Sequence, residues 1–212
     1  MELVVSSRRP PGRYDTYEIG IDEFIALCRR VGSEPLLTAR VSETSPEDAA
    51  AWVEYCNGSR DTKWGKVRAE RGHPDLYGVR YWFVGNELYF FGRGTAKTAA
   101  GCASQSRLFA SAMKRADPSI RLIGCTNLSA AWDKPLLGQA GALLELCSAH
   151  YYLLDHLKVS GDAGNQVIVK APTQKLRPFL LDGRRSVETN APAGRRLGIA
   201  FDGVLGYRRC SL

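Results

Sequence analysis

The sequence predicts an α/β protein that forms part of a (β/α)8, TIM-type barrel. Short apolar runs alternate with segments of helical periodicity, which is the pattern of parallel β/α units. The apolar runs are continuous rather than interrupted by polar residues, as expected for strands that are covered on both faces. Five strands are predicted where a closed barrel needs eight. They are expected at residues 35–40, 80–84, 120–126, 147–151 and 197–202.

Helical segments are predicted between these strands. Residues 21–31 repeat apolar side chains at the spacing of one helix face, and Gly32 follows as a stop. Ser45 followed by Pro46 is a typical helix start, with a capping hydroxyl before a proline at the first position. Further helices are expected at residues 95–116 and 136–146. Residues 157–195 contain only short apolar runs and predict no clear element.

Composition places the chain among ordinary globular proteins. Of its 212 residues, 44% are hydrophobic and 24% are charged, values that are typical of a folded domain. No apolar run approaches the roughly 20 residues that span a bilayer. The N-terminal apolar residues precede Arg8 and Arg9, which is the reverse of the order in a signal peptide. A cytoplasmic location is therefore predicted, with no membrane association.

The charge is unevenly distributed and divides the chain into two parts. The net charge is +7, and residues 157–212 hold 10 basic and 4 acidic side chains. We therefore expect two parts. Residues 1–156 are nearly neutral, and residues 157–212 form a basic C-terminal part that ends in the strand at 197–202. The basic side chains have no interleaved aromatic residues that would stack on bases, so nucleic-acid binding is not expected. Binding of an acidic partner remains an alternative.

The cysteines and glycines carry no signature of a cofactor. No two cysteines form a C-x-x-C pair, so neither a zinc site nor any other metal site is expected. Gly92-x-Gly94 is too short to be a phosphate-binding fingerprint. We expect the thiols to be free and buried. The six cysteines are Cys28, Cys56, Cys102, Cys125, Cys147 and Cys210.

The residues after the second predicted strand are the first candidate site. Functional side chains of a β/α barrel lie at the carboxyl ends of its strands, and Asn86 and Glu87 follow such a strand. Aromatic walls formed by Trp82, Tyr89 and Phe90 could desolvate Glu87 and raise its pKa, as a general acid requires. Alternatively, Asn86 and Glu87 form a surface cap of the following helix.

The residues after the fourth predicted strand are the second candidate site. His150 and Tyr152 come at its end, where they could orient a carboxylate and line a pocket. The alternative for His150 is a hydrogen-bonded histidine of the core.

These candidates lie in segments that resemble a known family. The run Trp82-Phe83-Val84-Gly85-Asn86-Glu87 resembles the Trp-Gly-x-Gly-Asn-Glu signature of the family 51 glycoside hydrolases, the α-L-arabinofuranosidases. The resemblance covers roughly residues 10–155 and returns at 197–207. Other matching segments are residues 17–24, 47–58, 72–74 and 112–120.

The resemblance implies a fold, a reaction and roles for particular residues. It implies a retaining hydrolase that removes terminal α-L-arabinofuranosyl groups from arabinan- or arabinoxylan-type oligosaccharides without a cofactor. Glu87 matches the acid/base, and Asn86 the neighbour that contacts the arabinose 2-OH. His150 and Tyr152 match residues around the nucleophile, and Trp82 is assigned to the substrate-binding set. The five strands would be the third to the seventh of the barrel, and a homo-oligomer is possible.

The chain departs from the family at the nucleophile. The family's nucleophilic glutamate follows an Ala-Phe-Asp run, and here that position is Gly203. Asp202 is a poor substitute, because adjacent strand residues point to opposite faces and aspartate is shorter. The first two strands of the barrel would precede Met1, which would leave an open sheet with unpaired edges. Two interpretations follow: an active hydrolase, or a catalytically inactive truncated relic or sugar-binding remnant of the family.

Overall fold

The computed structural model describes residues 19–151 and 172–204. These residues fall into two compact units, one that ends at Pro35 and one that begins at Leu36. The predicted boundary near residue 156, and with it Tyr152, lies outside the described residues.

The first unit contains helix α1, Ile21–Arg30. Its N-terminus is capped from within, because the Glu23 carboxylate accepts a hydrogen bond from the Gly20 N–H at 2.8 Å. Acidic residues occupy its first turn and basic residues its last, as the helix dipole favours. Gly32 follows with φ of +71° and ends the helix. The predicted helix at residues 21–31 is confirmed to within one residue.

The second unit is built on a five-stranded parallel sheet. Its strands lie side by side in the order in which they occur along the chain, and every neighbouring pair is parallel. All five predicted strands are confirmed. They are β1 Leu36–Ala39, β2 Tyr81–Val84, β3 Arg121–Gly124, β4 Leu146–Tyr151 and β5 Gly198–Val204.

The sequential strand order identifies the sheet as part of a β/α barrel. Because parallel crossovers are right-handed, strands added one after another in the same direction place their helices on one face. Helix α5 (Ala99–Ala116) packs against α2 (Pro46–Asn57) and α6 (Ala130–Ala140), and α6 packs against α7 (Arg177–Asn190). The carboxyl ends of all five strands therefore meet at one edge, where the functional groups of such barrels lie. The helices are α2 Pro46–Asn57, α3 Lys63–Glu70, α4 Leu88–Phe91, α5 Ala99–Ala116, α6 Ala130–Ala140 and α7 Arg177–Asn190.

Capping side chains account for where α2 and α5 begin. The Ser45 hydroxyl accepts from the Asp48 N–H at 3.1 Å and the Asp48 carboxylate accepts from the Ser45 N–H at 3.0 Å, which confirms the predicted start of α2. The predicted helix at residues 95–116 is divided. A 3₁₀ turn at Gly94–Lys97 precedes α5, which begins where the Thr98 hydroxyl accepts from the Gly101 N–H.

In the C-terminal half, the predicted start of one helix was wrong and a second helix was not predicted. Helix α6 begins at Ala130 rather than at residue 136, because Trp132 packs inward with Leu136 and Leu137. Helix α7 was missed entirely, since its residues are mostly polar and only Gly183 and Val187 among them are buried. Gly183 is required by close packing, because a Cβ there would lie 2.3 Å from a methyl carbon of Leu128.

The cysteines of the described residues are free and buried, as the sequence predicted. Burial raises the pKa of the Cys102 thiol to about 11 and of the Cys147 thiol to about 12, so both stay protonated near neutral pH. Cys210 lies outside the described residues. In the described part of the chain, no helix is both long enough and apolar enough to span a membrane.

One charged side chain is fully buried under the loops that connect α2, α3 and β2. The Arg68 guanidinium donates to the carbonyl oxygens of Tyr55, Gly58 and His73 at 2.6, 2.9 and 3.0 Å. It also lies 5.7 Å from the centroid of the Tyr77 ring, within cation–π range. Its planar fork thus provides hydrogen-bond donors to several backbone carbonyl groups at once.

We predict that Arg68→Lys lowers the free energy of unfolding by about 3 kcal/mol, because an ammonium group cannot reach the same set of carbonyl oxygens. Urea denaturation measures the change. Lys66→Met on the same helix is the control, since Lys66 is exposed and its effect should stay within about 0.5 kcal/mol. Equal effects of the two substitutions would contradict the role given to Arg68.

Candidate active site

The turn after β2 places Glu87 over the carboxyl edge of the sheet. Gly85 has φ of +82°, and a Cβ there would lie 2.6 Å from a methyl carbon of Leu88, so the turn requires glycine. Glu87 itself has φ of +45°, in the left-handed region. A residue with a side chain costs roughly 1–2 kcal/mol there. Such strain at a strand end is a common feature of functional sites.

The Glu87 side chain is buried and contacts His150. Its Oε1 lies 2.7 Å from Nδ1 of His150, and the two side chains are 8% and 9% exposed. Glu87 occupies the N-cap position of α4, but its carboxylate makes no capping hydrogen bond. The alternative of a surface cap is therefore wrong for the side chain. The Glu87 backbone carbonyl does accept from the N–H groups of Phe90 and Phe91, both at 2.8 Å.

A second carboxylate contacts the same imidazole from its other side. Oδ2 of Asp202 lies 3.4 Å from Nε2 of His150. His150 is thus hydrogen-bonded, as the alternative of a core histidine expects, and both of these partners are carboxyl groups. In the described structure its ring lies between two carboxylates that come from β5 and from the turn after β2.

The predicted orientation of Asp202 away from the site is wrong, and a β-bulge is the reason. Ala149 pairs with Phe201 and His150 pairs with Gly203, so Asp202 is an extra residue in β5. A bulge breaks the strict alternation of side chains and can turn one toward a site. Oδ1 of Asp202 also accepts from the Ala149 N–H at 3.3 Å, which ties the carboxylate to β4.

The two carboxylates change the titration of His150. The hydrogen bond to Asp202 is the largest cause, burial opposes it, and the hydrogen bond to Glu87 adds to it. Together they raise the pKa of His150 from 6.5 to about 8. The imidazole is thus mostly protonated at pH 7, with a carboxylate against each nitrogen.

The other predicted site residues lie in different surroundings, some exposed and some buried. Asn86 is exposed beside Glu87. Trp82 is fully buried, and its indole N–H donates to the Val79 carbonyl before the start of β2, so its assignment to the substrate-binding set is wrong. Gly203 is placed by its backbone opposite His150. Tyr152 lies outside the described residues.

The aromatic residues of α4 contact one another and Trp132 of α6. The Tyr89 ring packs edge-on against Trp132, with 5.7 Å between the centroids, and against Phe90, with 4.8 Å. Phe90 is 66% exposed. The start of α4 is held by the Cys125 sulfur, which accepts from the Leu88 N–H at 3.3 Å.

A buried carboxyl group near this edge was not predicted from the sequence. Asp133 is fully buried at the start of α6, and its Oδ1 accepts from the Asn127 N–H at 3.1 Å. Within the described residues its Oδ2 has no hydrogen-bond partner. Burial raises the pKa of Asp133 to about 7. No sequence pattern distinguishes this aspartate from those that cap helices on the surface.

Metal ligands are not grouped in the described ranges. Among residues 19–151 and 172–204, no three His, Cys, Asp or Glu side chains are arranged so that they could hold a metal ion. The chemistry available at the site is that of carboxyl groups and an imidazole.

A buried carboxyl group held by an imidazole at the carboxyl edge of a parallel β/α sheet is an arrangement that suits acid/base chemistry. Comparisons with known proteins make the class specific. Residues 6–161 match the family model described as the alpha-L-arabinofuranosidase 1 domain. The chain belongs to this family, the α-L-arabinofuranosidases of glycoside hydrolase family 51.

Curated relatives and solved structures agree with the family. Alpha-L-arabinofuranosidase C of Emericella nidulans is 34% identical over 206 residues, which are 89% of this chain. The intracellular exo-alpha-(1->5)-L-arabinofuranosidase of Halalkalibacterium halodurans is 28% identical over 147 residues, 65% of this chain. The arabinose complex of the alpha-L-arabinofuranosidase from Thermotoga maritima superposes on 93% of this chain, with a TM-score of 0.81 and 28% identity.

The chain spans only part of each of these proteins. It covers 40% of the Emericella enzyme, 29% of the Halalkalibacterium enzyme and 39% of the Thermotoga structure. The fold and the family of this chain are thus established, and the activity of the longer proteins is a separate question.

We predict that Asp133→Asn stabilises the protein more at pH 8 than at pH 5. The native pKa of about 7 lies above the ordinary value of 3.8. Between these two pH values the native state therefore binds more protons than the unfolded chain. Stability therefore falls as the pH rises from about 4 to about 7 and stays low above that range. Asparagine has no proton to lose, and the full difference is about 4 kcal/mol.

Urea denaturation of both proteins at pH 5 and pH 8 should show about 3 kcal/mol of this difference, because part of the loss has already occurred at pH 5. Asp182→Asn is the matched control, because the Asp182 side chain is 72% exposed and its substitution should have the same small effect at both pH values. An effect of Asp133→Asn that does not change with pH would contradict the buried, protonated carboxyl group.

Proposed function

We propose that this chain carries the acid/base part of an α-L-arabinofuranosidase site and acts on terminal, non-reducing α-L-arabinofuranosyl groups of arabinan- or arabinoxylan-type oligosaccharides. The observation that carries the proposal is the buried Glu87 carboxyl group, placed at the carboxyl end of β2 and held by His150 at 2.7 Å. The names of the Emericella and Thermotoga relatives support the substrate class.

Glu87 suits the role of proton donor to the leaving group. Glycosidases of this kind use one carboxylic acid to protonate the glycosidic oxygen. Glu87 is shielded from bulk water, and the neighbouring Asn86 is exposed, so its amide can donate to a sugar hydroxyl. Phe90 is also exposed one helical turn from Glu87.

The chain differs from its family at the position of the nucleophile. A retaining reaction needs a second carboxyl group about 5–5.5 Å from the acid/base. Gly203 provides no side chain at the family's position. Asp202 is separated from Glu87 by the width of the imidazole ring, with one carboxylate on each nitrogen. That spacing disfavours Asp202 as the nucleophile.

Gly203 favours a second candidate function, the binding of arabinofuranosides without their cleavage. The residues that contact a sugar and those that form the glycosyl ester are different, so one set can persist without the other. We further propose a cytoplasmic location, which the word intracellular in the name of the Halalkalibacterium relative supports.

We expect Glu87→Gln to abolish hydrolysis of an α-1,5-linked arabino-oligosaccharide and to affect 4-nitrophenyl α-L-arabinofuranoside much less. Nitrophenolate leaves without protonation, whereas a sugar alcohol needs the acid, and general-acid catalysis contributes about 10²–10⁴-fold. Both substrates are measured in the Gly203→Glu background, with and without Glu87→Gln, because Gly203 leaves the unmodified chain without the family's nucleophile. Equal losses on the two substrates would contradict the role of Glu87 as general acid.

We also expect Gly203→Glu to raise the rate of 4-nitrophenol release, because it restores a carboxylate at the family's position. Gly203→Ala is the matched control, since it adds a Cβ without a carboxylate. Sodium azide should accelerate the unmodified chain by entering the space that glycine leaves, and should have no effect on Gly203→Glu.

The outcomes separate the two candidate functions. Saturable binding of arabinose by the unmodified chain, with turnover only in Gly203→Glu, identifies a binding site that lacks its nucleophile. If no variant hydrolyses either substrate, and if calorimetry detects no binding of arabinose, the proposed function is contradicted.

A further inference from the structure

Asp202 is the residue of this site whose role the family resemblance does not supply. We propose that Asp202 is a positioning residue that holds the imidazole of His150 against Glu87. The inference deepens the proposed function, because it concerns how the acid/base group is kept in place. It rests on the contacts of three described side chains.

The three side chains form a continuous chain of contacts. Glu87 meets Nδ1 of His150 at 2.7 Å, and Asp202 meets Nε2 at 3.4 Å. The side chains are 8%, 9% and 17% exposed, so water screens these contacts less than it screens surface ion pairs. An imidazole with a partner on each nitrogen cannot rotate without losing at least one of them.

Asp202 is itself fixed by the backbone of the neighbouring strand. Its Oδ1 accepts from the Ala149 N–H at 3.3 Å, one residue before His150. The bulge in β5 is what brings the carboxylate to this position, because the residues on either side of Asp202 pair with Ala149 and His150. The imidazole therefore contacts a carboxylate that is anchored to the same strand as the histidine.

The carboxylate also determines the charge on the ring. Three titratable groups face one another here besides the imidazole: the carboxyl groups of Glu87 and Asp202 and the Cys125 thiol, which interacts with both. Burial raises the pKa of Cys125, so the thiol carries no charge near neutral pH. The carboxyl groups of Asp202 and Glu87 are thus the neighbours that raise the pKa of His150 and favour its protonated form.

A positioning role is consistent with the spacing of the carboxylates. An imidazole inserted between two carboxyl groups keeps them further apart than the roughly 5–5.5 Å of a retaining pair. Orientation of a catalytic group by an imidazole that is held in turn by a carboxylate is a recurrent arrangement in enzymes. Asp202 would act on Glu87 only through His150.

The test is the titration of His150 by ¹H–¹⁵N NMR of the imidazole groups. His150→Gln identifies the signal among the three histidines. In the unmodified chain we expect both ring nitrogens to be protonated at pH 7, with a pKa near 8. A value at or below 6.5 in the unmodified chain would by itself overturn the proposal, whatever the variants do.

The variants test the cause of the shift. Asp202→Asn removes the charge while it keeps the shape, and we expect the His150 pKa to fall by about one unit. Asp202→Glu keeps the charge and should leave the pKa near its original value. Asp182→Asn, an exposed control, should have no effect. A His150 pKa that is unchanged in Asp202→Asn would overturn the proposal.

The titration is independent of turnover, so the two proposals fail separately. Loss of hydrolysis and of arabinose binding in every variant contradicts the proposed function and leaves the His150 titration as a measurement of position and charge. A normal His150 pKa in an active protein contradicts the role of Asp202 and leaves the proposed function intact.

Discussion

A buried carboxylate needs a charged or hydrogen-bonding partner, and for Glu87 that partner is the imidazole of His150. The contact joins the end of β2 to the end of β4, two strands away in the sheet. It forms because all five strands are parallel and lie in chain order, which brings their carboxyl ends to one edge. The turn after β2 and the bulge in the last strand can both be understood from this one requirement.

Local conformations that are unfavourable by themselves occur where they serve this contact. The left-handed backbone of Glu87 and the glycine turn before it direct the carboxylate over the sheet. The bulge at Asp202 interrupts the pairing of the last strand and gives the imidazole its second partner. Strain and irregular pairing are expected at sites because the surrounding structure must compensate for them.

Two buried charged residues show different ways of satisfying polar groups away from the site. Arg68 donates to backbone carbonyls on several sides and stabilises the loops around it. Asp133 has one satisfied oxygen and one that lacks a partner among the described residues, and its raised pKa is the consequence. The first arrangement stabilises at every pH, whereas the second costs stability as the pH rises.

The sequence alone determined the strands, the cap of α2 and the candidates Glu87 and His150, because these depend on local periodicity and on which residues follow a buried strand. Only the tertiary structure decided that helix α7 exists, that Trp82 belongs to the core, and that Asp202 faces His150. Each of these depends on distant partners: Leu128 against Gly183, the Val79 carbonyl against the indole, and the register of β4 against β5. A side chain's direction in a regular strand follows from its position, but a bulge is set by the strand beside it, and no local pattern records that strand.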